Sequence, residues 1–384
     1  MDTILNLEKT VDYLRKNDTQ SYDILKQIYT FNSGTGSLII PDSFKTKVLE
    51  YFGHRNSSGK IIESLNEVIA RIEHQKIIEI YNIWTGEGAL YNSLRADRPG
   101  IREMDFQKEK NYLNNLIIES QKLCDFCNPE KYTPEDNFGR IRGKHSITAT
   151  NIAKYDMWSS LIIFDTHNPL KFNLKEFSDY INTGFEWFKA VNVNNSNLRF
   201  PFFIWNCLPR AGASQIHGHC QILMSNEPYA KVKILRNAYK EYKIKTGASY
   251  FRDLYKVHKS LGLSASHKNV QIFANVTPIK EKEVVIISSE NPSKSIEAKK
   301  TIFNILRCFI DIMGVYSFNL SISCPSIDNE KSIPYIIRIV DRGRLLNSTA
   351  DIGGMELYGS SVVADDPYKV IDVLKTNLNF QNKS

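Results

Sequence analysis

Residues 212–223 read Gly212-Ala213-Ser214-Gln215-Ile216-His217-Gly218-His219-Cys220-Gln221-Ile222-Leu223, with two histidines and a glutamine at every second position. Successive side chains of an extended chain point to opposite faces. This rhythm therefore collects His217, His219 and Gln221 on one face and sends Ile216, Cys220 and Ile222 to the other. The apolar Ile222, Leu223 and Met224, and the preceding Phe202, Phe203, Ile204 and Trp205, predict paired strands here and not a helix. The Gly212-Ala213-Ser214 turn has little bulk, so its backbone N–H groups could approach an anion. Taken alone, the His-x-His pair fits metal or catalytic chemistry and ordinary surface or core packing equally well.

The chain of 384 residues, 42% hydrophobic and 24% charged, is that of a globular protein with one large domain or two ordinary ones. It contains no apolar run of the roughly 18 residues that a membrane span needs. The start MDTILNLEKT has neither the basic nor the apolar region of a signal peptide, so a cytoplasmic protein with no membrane partner is expected. The six cysteines do not read as a disulfide framework; two of them form Cys124-Asp125-Phe126-Cys127, a spacing of metal or redox sites. A net charge of +7 suits an anionic ligand such as a nucleotide or sugar phosphate, and equally nucleic acid. The densest basic segment, Lys231 to Lys245, carries Val232, Leu235, Tyr239 and Tyr242 at helical spacing. It reads as the solvated face of an amphipathic helix, and no nucleic-acid partner is expected.

Residues 1–78 read as a helical extension, because LEKTVDYLRK, SYDILKQIYTF, FKTKVLEYF and IIESLNEVIARIEHQKIIEIY all space apolar residues by three and four. Beyond it the pattern shifts to short strands and turns with an internal duplication. Thr150-Asn151-Ile152 leads through Leu161 to Phe164 and then to Asn168-Pro169; Ala274-Asn275-Val276 leads through Val284 to Ile287 and then to Asn291-Pro292. Each copy continues into an amphipathic helix and further strands. In that register the second copy meets the His217–Gln221 position near Ile333–Arg338, where no histidine stands. The expectation is an α+β protein of two tandem, degenerate sheet-and-helix repeats, 79–250 catalytic and 251–384 not.

Cys124, Cys127, His167 and His217 supply the two thiolates and two imidazoles of a tetrahedral zinc site, although their intervals are not those of a zinc finger. A redox C-x-x-C is the alternative. Taken together these residues resemble galactose-1-phosphate uridylyltransferase, a branch of the histidine-triad superfamily that also holds phosphorylases of dinucleoside polyphosphates and nucleotide sugars. That family's motif is H-P-H-x-Q, and His217-Gly218-His219-Cys220-Gln221 is similar to it, with glycine in place of proline. Tyr81-Asn82-Ile83-Trp84-Thr85-Gly86 and Arg95-Ala96-Asp97-Arg98-Pro99 resemble the family's Y-N-x-x-T-G and R-A-x-R-P segments. Gly354-Met355-Glu356-Leu357 resembles its C-terminal G-Y-E-M segment.

The resemblance implies a histidine-triad-like fold, one structural zinc per chain on Cys124, Cys127, His167 and His217, and His219 as nucleophile with Gln221 beside it. It implies nucleotide or phosphate contacts from Arg95, Arg98, Asn151, Asn206 and Ser214, the last joined by the Gly212-Ala213 backbone. Glu356 would bind a hexose, commonly across a homodimer interface. The implied reaction moves a nucleotide from a nucleoside diphosphate sugar to a sugar 1-phosphate through a covalent nucleotidyl-histidine. A phosphorylase using inorganic phosphate, and a noncatalytic nucleotide-binding zinc protein, are the alternatives. For each arginine the plain alternative is a surface ion pair, for instance with Asp97 or Glu103.

Overall fold

The computed structural model of the chain describes residues 3–56, 58–97, 106–329, 332–347 and 352–378. Helices α1 (Leu7–Asn17) and α2 (Thr19–Ile28) open the chain as their apolar spacing predicts. The expected helical extension is then broken twice. After α2 the chain extends as β1 (Tyr29–Ser37); after α3 (Asp42–Phe52), helix α4 (Leu65–Glu73) stops and β2 (His74–Asn82) follows. A capping box of Ser64 and Glu67 starts α4. Beyond it Ile78, Ile80 and Asn82 are buried while Glu79 and Tyr81 are exposed, a period of two that overrides the helical one. The polar, glycine-bearing β1 has no strand signature of its own and is recruited by antiparallel pairing with β2 along its whole length.

The strand β3 (Gly88–Tyr91) follows, then α5 (Phe106–Gln121) and the single turn α6 (Pro129–Tyr132). The first copy of the repeat is β4 (Ser146–Thr150), β5 (Trp158–Phe164), α7 (Leu174–Asn194), β6 (Phe200–Cys207) and β7 (His219–Ser225). Helices α8 (Ala230–Thr246) and α9 (Tyr250–Ser260) and the short strand β8 (Ser264–His267) lead to the second copy. That copy is β9 (Val270–Ala274), β10 (Val284–Ser288), α10 (Ile296–Asp311), β11 (Phe318–Ser323) and β12 (Tyr335–Asp341). The nine strands β4 to β12 form one antiparallel sheet in the order β4-β5-β7-β6-β11-β12-β10-β9-β8. The copies thus meet edge to edge at β6 and β11, where Ile204 pairs with Ser321 and Asn206 with Asn319.

One face of this sheet carries the main core. Strand β6 alternates, with Phe203, Trp205 and Cys207 buried and Phe202, Ile204 and Asn206 half-buried. Trp187, Phe188, Ile302 and Phe309 from α7 and α10 belong to the same core as Phe203 and Trp205. An Asn173/Glu176 capping box fixes the start of α7. The opposite face carries His219, Gln221 and the small apolar cluster of Ile147, Ala149, Leu161 and Ile163.

The chain closes with β13 (Ser360–Val363) and α11 (Pro367–Asn377). Strand β13 pairs parallel to β3 and completes a second sheet, β1-β2-β3-β13. Asn82 donates to Tyr250 Oη at 2.9 Å, and Tyr91 Oη donates to the Val276 carbonyl at 3.0 Å, which ties this small sheet to the second copy. No helix among the described residues is long and apolar enough to cross a membrane.

Candidate active site

Strand β7 begins at His219, while Ile216, His217 and Gly218 lead into it without strand pairing. His217 Nε2 donates to the Phe164 carbonyl at 2.8 Å, and His167 Nε2 lies 3.1 Å from the Ile117 carbonyl and 3.0 Å from Ser120 Oγ. Each ring therefore turns Nδ1 toward the cysteines. His167 Nδ1 and His217 Nδ1 are 3.1 Å apart, and Cys127 Sγ stands 3.4 and 3.5 Å from them; Cys124 Sγ is 3.4 Å from His217 Nδ1. A tetrahedral zinc with ordinary bond lengths requires S···N separations of about 3.5 Å and N···N of about 3.3 Å. The four donors lie within 4.8 Å of one another and fit such an ion.

Electrostatics point the same way. Burial pushes His217 down to about 4 and His167 below its ordinary value, which favours the neutral form that a metal ion requires of an imidazole. Burial and the adjacent Cys124 push the Cys127 thiol up to about 11, a crowding of sulfurs that a cation relieves. All six cysteines are free. Cys207, Cys220, Cys308 and Cys324 are buried as small hydrophobes.

His219 Nδ1 donates to the His217 carbonyl at 2.8 Å, which leaves the Nε2 lone pair available. Burial holds this ring below its ordinary basicity, in the neutral form. Phe126, between the two cysteines, meets both His217 and His219 edge-on at 5.9 and 5.4 Å between ring centres. The metal-ligand loop and the strand histidine therefore share one wall. Gln221 donates from Nε2 to Tyr155 Oη at 3.2 Å, while its buried Oε1 has no partner. An unpartnered buried carbonyl is costly unless a donor from outside reaches it.

The glycine between the histidines has a local cause. A Cβ on Gly218 would stand 2.5 Å from the Phe164 ring, and its N–H donates to the His167 carbonyl at 2.9 Å. A proline would lose that bond and collide with Phe164.

The other candidates divide. Asn206, by continuation of the Ile204–Gln221 pairing, lies opposite His219 on the same sheet face. Asn151 directly follows β4 and is half-buried, and Ser214 is exposed on the approach to His217. The Gly212 and Ala213 amides donate to the Pro209 and Leu208 carbonyls at 2.9 and 3.3 Å, so the turn itself uses the N–H groups expected to face an anion. Arg95 sits on the 3-10 turn Ser93–Asp97 after β3, and Arg98 lies outside the described residues. Glu356 pairs with Lys280 at 3.1 Å beside the small sheet. Sequence reasoning missed Tyr155, Phe126 and, from the second copy, Asn319. Only Phe126, inside the C-x-x-C, carried a local signal.

No protein-family model and no curated protein matches the sequence. Solved structures do resemble the fold. An ADP-glucose phosphorylase from Arabidopsis thaliana with bound ADP-glucose aligns over 76% of this chain and 96% of its own, at 15% identity and a TM-score of 0.58. A GalT-like protein from the same plant covers 66% and 92% at 15% identity and TM-score 0.54. A uridylyltransferase mutant covers 67% and 94% at 14% identity and TM-score 0.54. The chain thus has the α+β histidine-triad-like fold of these proteins.

Proposed function

We propose that the protein is a nucleotidyltransferase that works through a covalent nucleotidyl-histidine on His219. The observation that carries this reading is the orientation of one ring: Nδ1–H bound to the His217 carbonyl, Nε2 unprotonated, the ring on the sheet face that also carries Gln221. The Nε2 lone pair attacks the α-phosphorus of a nucleoside diphosphate sugar. A P–N bond forms, the P–O bond to the bridging oxygen breaks, and its electron pair leaves on the sugar 1-phosphate. An incoming phosphate oxygen then attacks, and the P–N electrons return to Nε2. The His217 carbonyl stabilises the positive charge that the ring develops on attack. Gln221 stands where histidine-triad hydrolases have a third imidazole, and an amide moves no proton, which favours phosphate over water as acceptor.

The acceptor is a sugar 1-phosphate in this reading. The likeness to an ADP-glucose phosphorylase favours a second one, inorganic phosphate through the same adduct. Zinc on Cys124, Cys127, His167 and His217 would supply no chemistry of its own beyond a closed structural tie between the Cys124 loop, the His167 turn and the catalytic strand. Asn151, Asn206 and Ser214 would hold nucleotide or phosphate, with Arg95 and Arg98 on the phosphates. Glu356, beside exposed Leu357 and Tyr358, would serve a second copy of the chain in a homodimer.

Incubation with radiolabelled ADP-glucose, UDP-glucose and diadenosine tetraphosphate tests the reading. The expected product is an acid-labile, base-stable adduct that is lost in His219→Ala. Labelling by none of the three would favour a noncatalytic binding protein.

A further inference from the structure

Between β4 and β5 the chain turns through residues 151–157, and Tyr155 in that turn is 60% exposed. An exposed tyrosine ordinarily keeps its polar tip in water. Tyr155 turns it inward instead: its Oη accepts from Nε2 of Gln221, a residue only 8% exposed. Strand pairing shows how far back the side chain reaches. Trp158, the first residue of β5, pairs with Met224, and Leu161 pairs with Gln221. Tyr155 precedes the strand, yet its hydroxyl meets the sheet three residues inward of the strand's start, about 10 Å along it.

The turn is fastened on both sides of this residue. The Tyr155 N–H donates to Ser159 Oγ at 3.1 Å, Lys154 Nζ donates to Thr150 Oγ1 and the Ser159 carbonyl at 2.5 and 3.1 Å, and Asp156 accepts from Tyr229 Oη at 2.7 Å. Tyr229 in turn packs on Phe202 of β6, with 5.5 Å between ring centres. The backbone that carries the hydroxyl is therefore held by its own strand, by the start of α8 and by β6.

A phenol offers one proton and accepts through its oxygen lone pairs. The Gln221 contact uses a lone pair, so the Oη proton has no acceptor among the described residues. Gln221 is itself incompletely satisfied, with Oε1 buried and unpartnered. An idle donor and an underused buried amide thus meet at one point of the face that carries His219. His219 and Gln221 stand two residues apart on that face, about 7 Å, the span of a phosphoryl group plus one hydrogen bond.

We propose that Tyr155 is a further catalytic residue, whose hydroxyl donates to one nonbridging oxygen of the nucleotidyl group as His219 takes it up. The inference rests on the nucleotidyl-histidine reading and adds to it a donor from outside the His-x-His-x-Gln strand. Nε2 forms the P–N bond, the P–O bond to the bridging oxygen breaks, and its electron pair leaves on the sugar 1-phosphate. Charge rests on the nonbridging oxygens of the group in flight. Tyr155 keeps its proton throughout and supplies a hydrogen bond placed in advance for that charge.

The test follows single-turnover labelling of the full chain by radiolabelled ADP-glucose and UDP-glucose, and by the two α-phosphorothioate diastereomers of each. Tyr155→Phe removes the hydroxyl alone. It should slow labelling about 10- to 100-fold, with the half-saturating concentration and the unfolding midpoint little changed. A donor aimed at one oxygen discriminates between the diastereomers, and Tyr155→Phe should shrink that discrimination. The same substitution in Gln221→Ala separates a donor from a brace, because a brace then has nothing left to hold. There Tyr155→Phe should still slow one diastereomer about fivefold or more. Labelling within twofold of Gln221→Ala for both diastereomers, or within twofold of the unmodified chain for Tyr155→Phe alone, overturns the inference and leaves the reading beneath it. Failure of the unmodified chain to form any adduct removes both.

Discussion

The two copies of the repeat share one sheet and one topology, yet put opposite chemistry at equivalent positions. Leu161 pairs with Gln221 in the first, and Val285 with Arg338 in the second; Ile163 pairs with His219, and by the same register Ile287 with Ile336. Ile336 therefore stands at the position of His219, the proposed nucleophile, and Arg338 at that of Gln221. Arg338 Nη1 binds Glu87 Oε1 at 2.7 Å, its Nε binds Glu283, and Lys231 lies 3.2 Å from the same Glu87 oxygen. Glu87, Asn82 and Tyr29 line a cavity together with Arg338, so the first 90 or so residues cover this face of the second copy. One antiparallel frame thus carries His219 beside a Cys2His2 group in one copy, and a buried ion-pair network beneath another layer in the other. The lesson is that the fold sets positions, and the covering layer sets what a position can do.

The comparison breaks most visibly at its centre. His219→Ala should lower turnover by about 10⁴-fold or more and leave the unfolding midpoint nearly unchanged. Ile336→Ala should do the reverse, destabilising by ~2–5 kcal/mol with turnover retained. Equal loss of turnover in both would mean that the copies are not functionally distinct. The metal-ligand group separates the copies next, because among the described residues it belongs to the first alone. One metal ion per chain is expected, and Cys124→Ser should abolish its retention and lower the thermal midpoint by several degrees. Elemental analysis that finds the same metal in Cys124→Ser would remove this distinction.

Arg338→Met leaves Glu87 and Glu283 without their buried partner and should cost ~3–5 kcal/mol of stability. Gln221→Ala should spare stability and lower turnover about 10²-fold. Chemical denaturation and initial rates on the two variants measure both effects. The histidines sharpen the contrast further. His258 stacks on Phe273 at 4.0 Å with Nδ1 bound to the Leu254 carbonyl, and burial pushes it down to about 4. Its folded-state value lies below the unfolded one, so the native state binds fewer protons. That stability is complete above about pH 6.5 and is lost as pH falls toward 4, by up to ~3 kcal/mol. His258→Phe should flatten stability measurements over that interval. The smallest effect expected is at Gly218, where Gly218→Ala should cost ~1–3 kcal/mol through the Phe164 ring, and Phe164→Leu should recover part of it.

Much of the first copy was legible from residue spacing. The period of two around His219 and the apolar neighbours in Phe202–Trp205 specify a two-faced strand pair, and the Asn151/Asn275 recurrence exposes the duplication. The strands β1 and β2 were not legible as such, since β1 gains its structure from pairing and β2 continues a helical spacing from α4 by coincidence of its isoleucines. At the site, Gln221 and His219 announced themselves by pattern. Tyr155 and Asn319 did not, because Tyr155 reaches Gln221 from a loop 66 positions away and Asn319 reaches Asn206 from a strand 113 positions away.

The sequence by itself determined the ligand types, the strand rhythm and the absence of a histidine from the second copy, because these are properties of neighbours along the chain. Only the tertiary structure decided that four separated sulfur and nitrogen donors converge and that His219 keeps Nε2 unprotonated. It also decided that Arg338 pairs with Glu87 and Glu283 beneath a second sheet. Those outcomes depend on strand register and on which layer covers which face, and both are fixed by packing between segments that no local spacing relates.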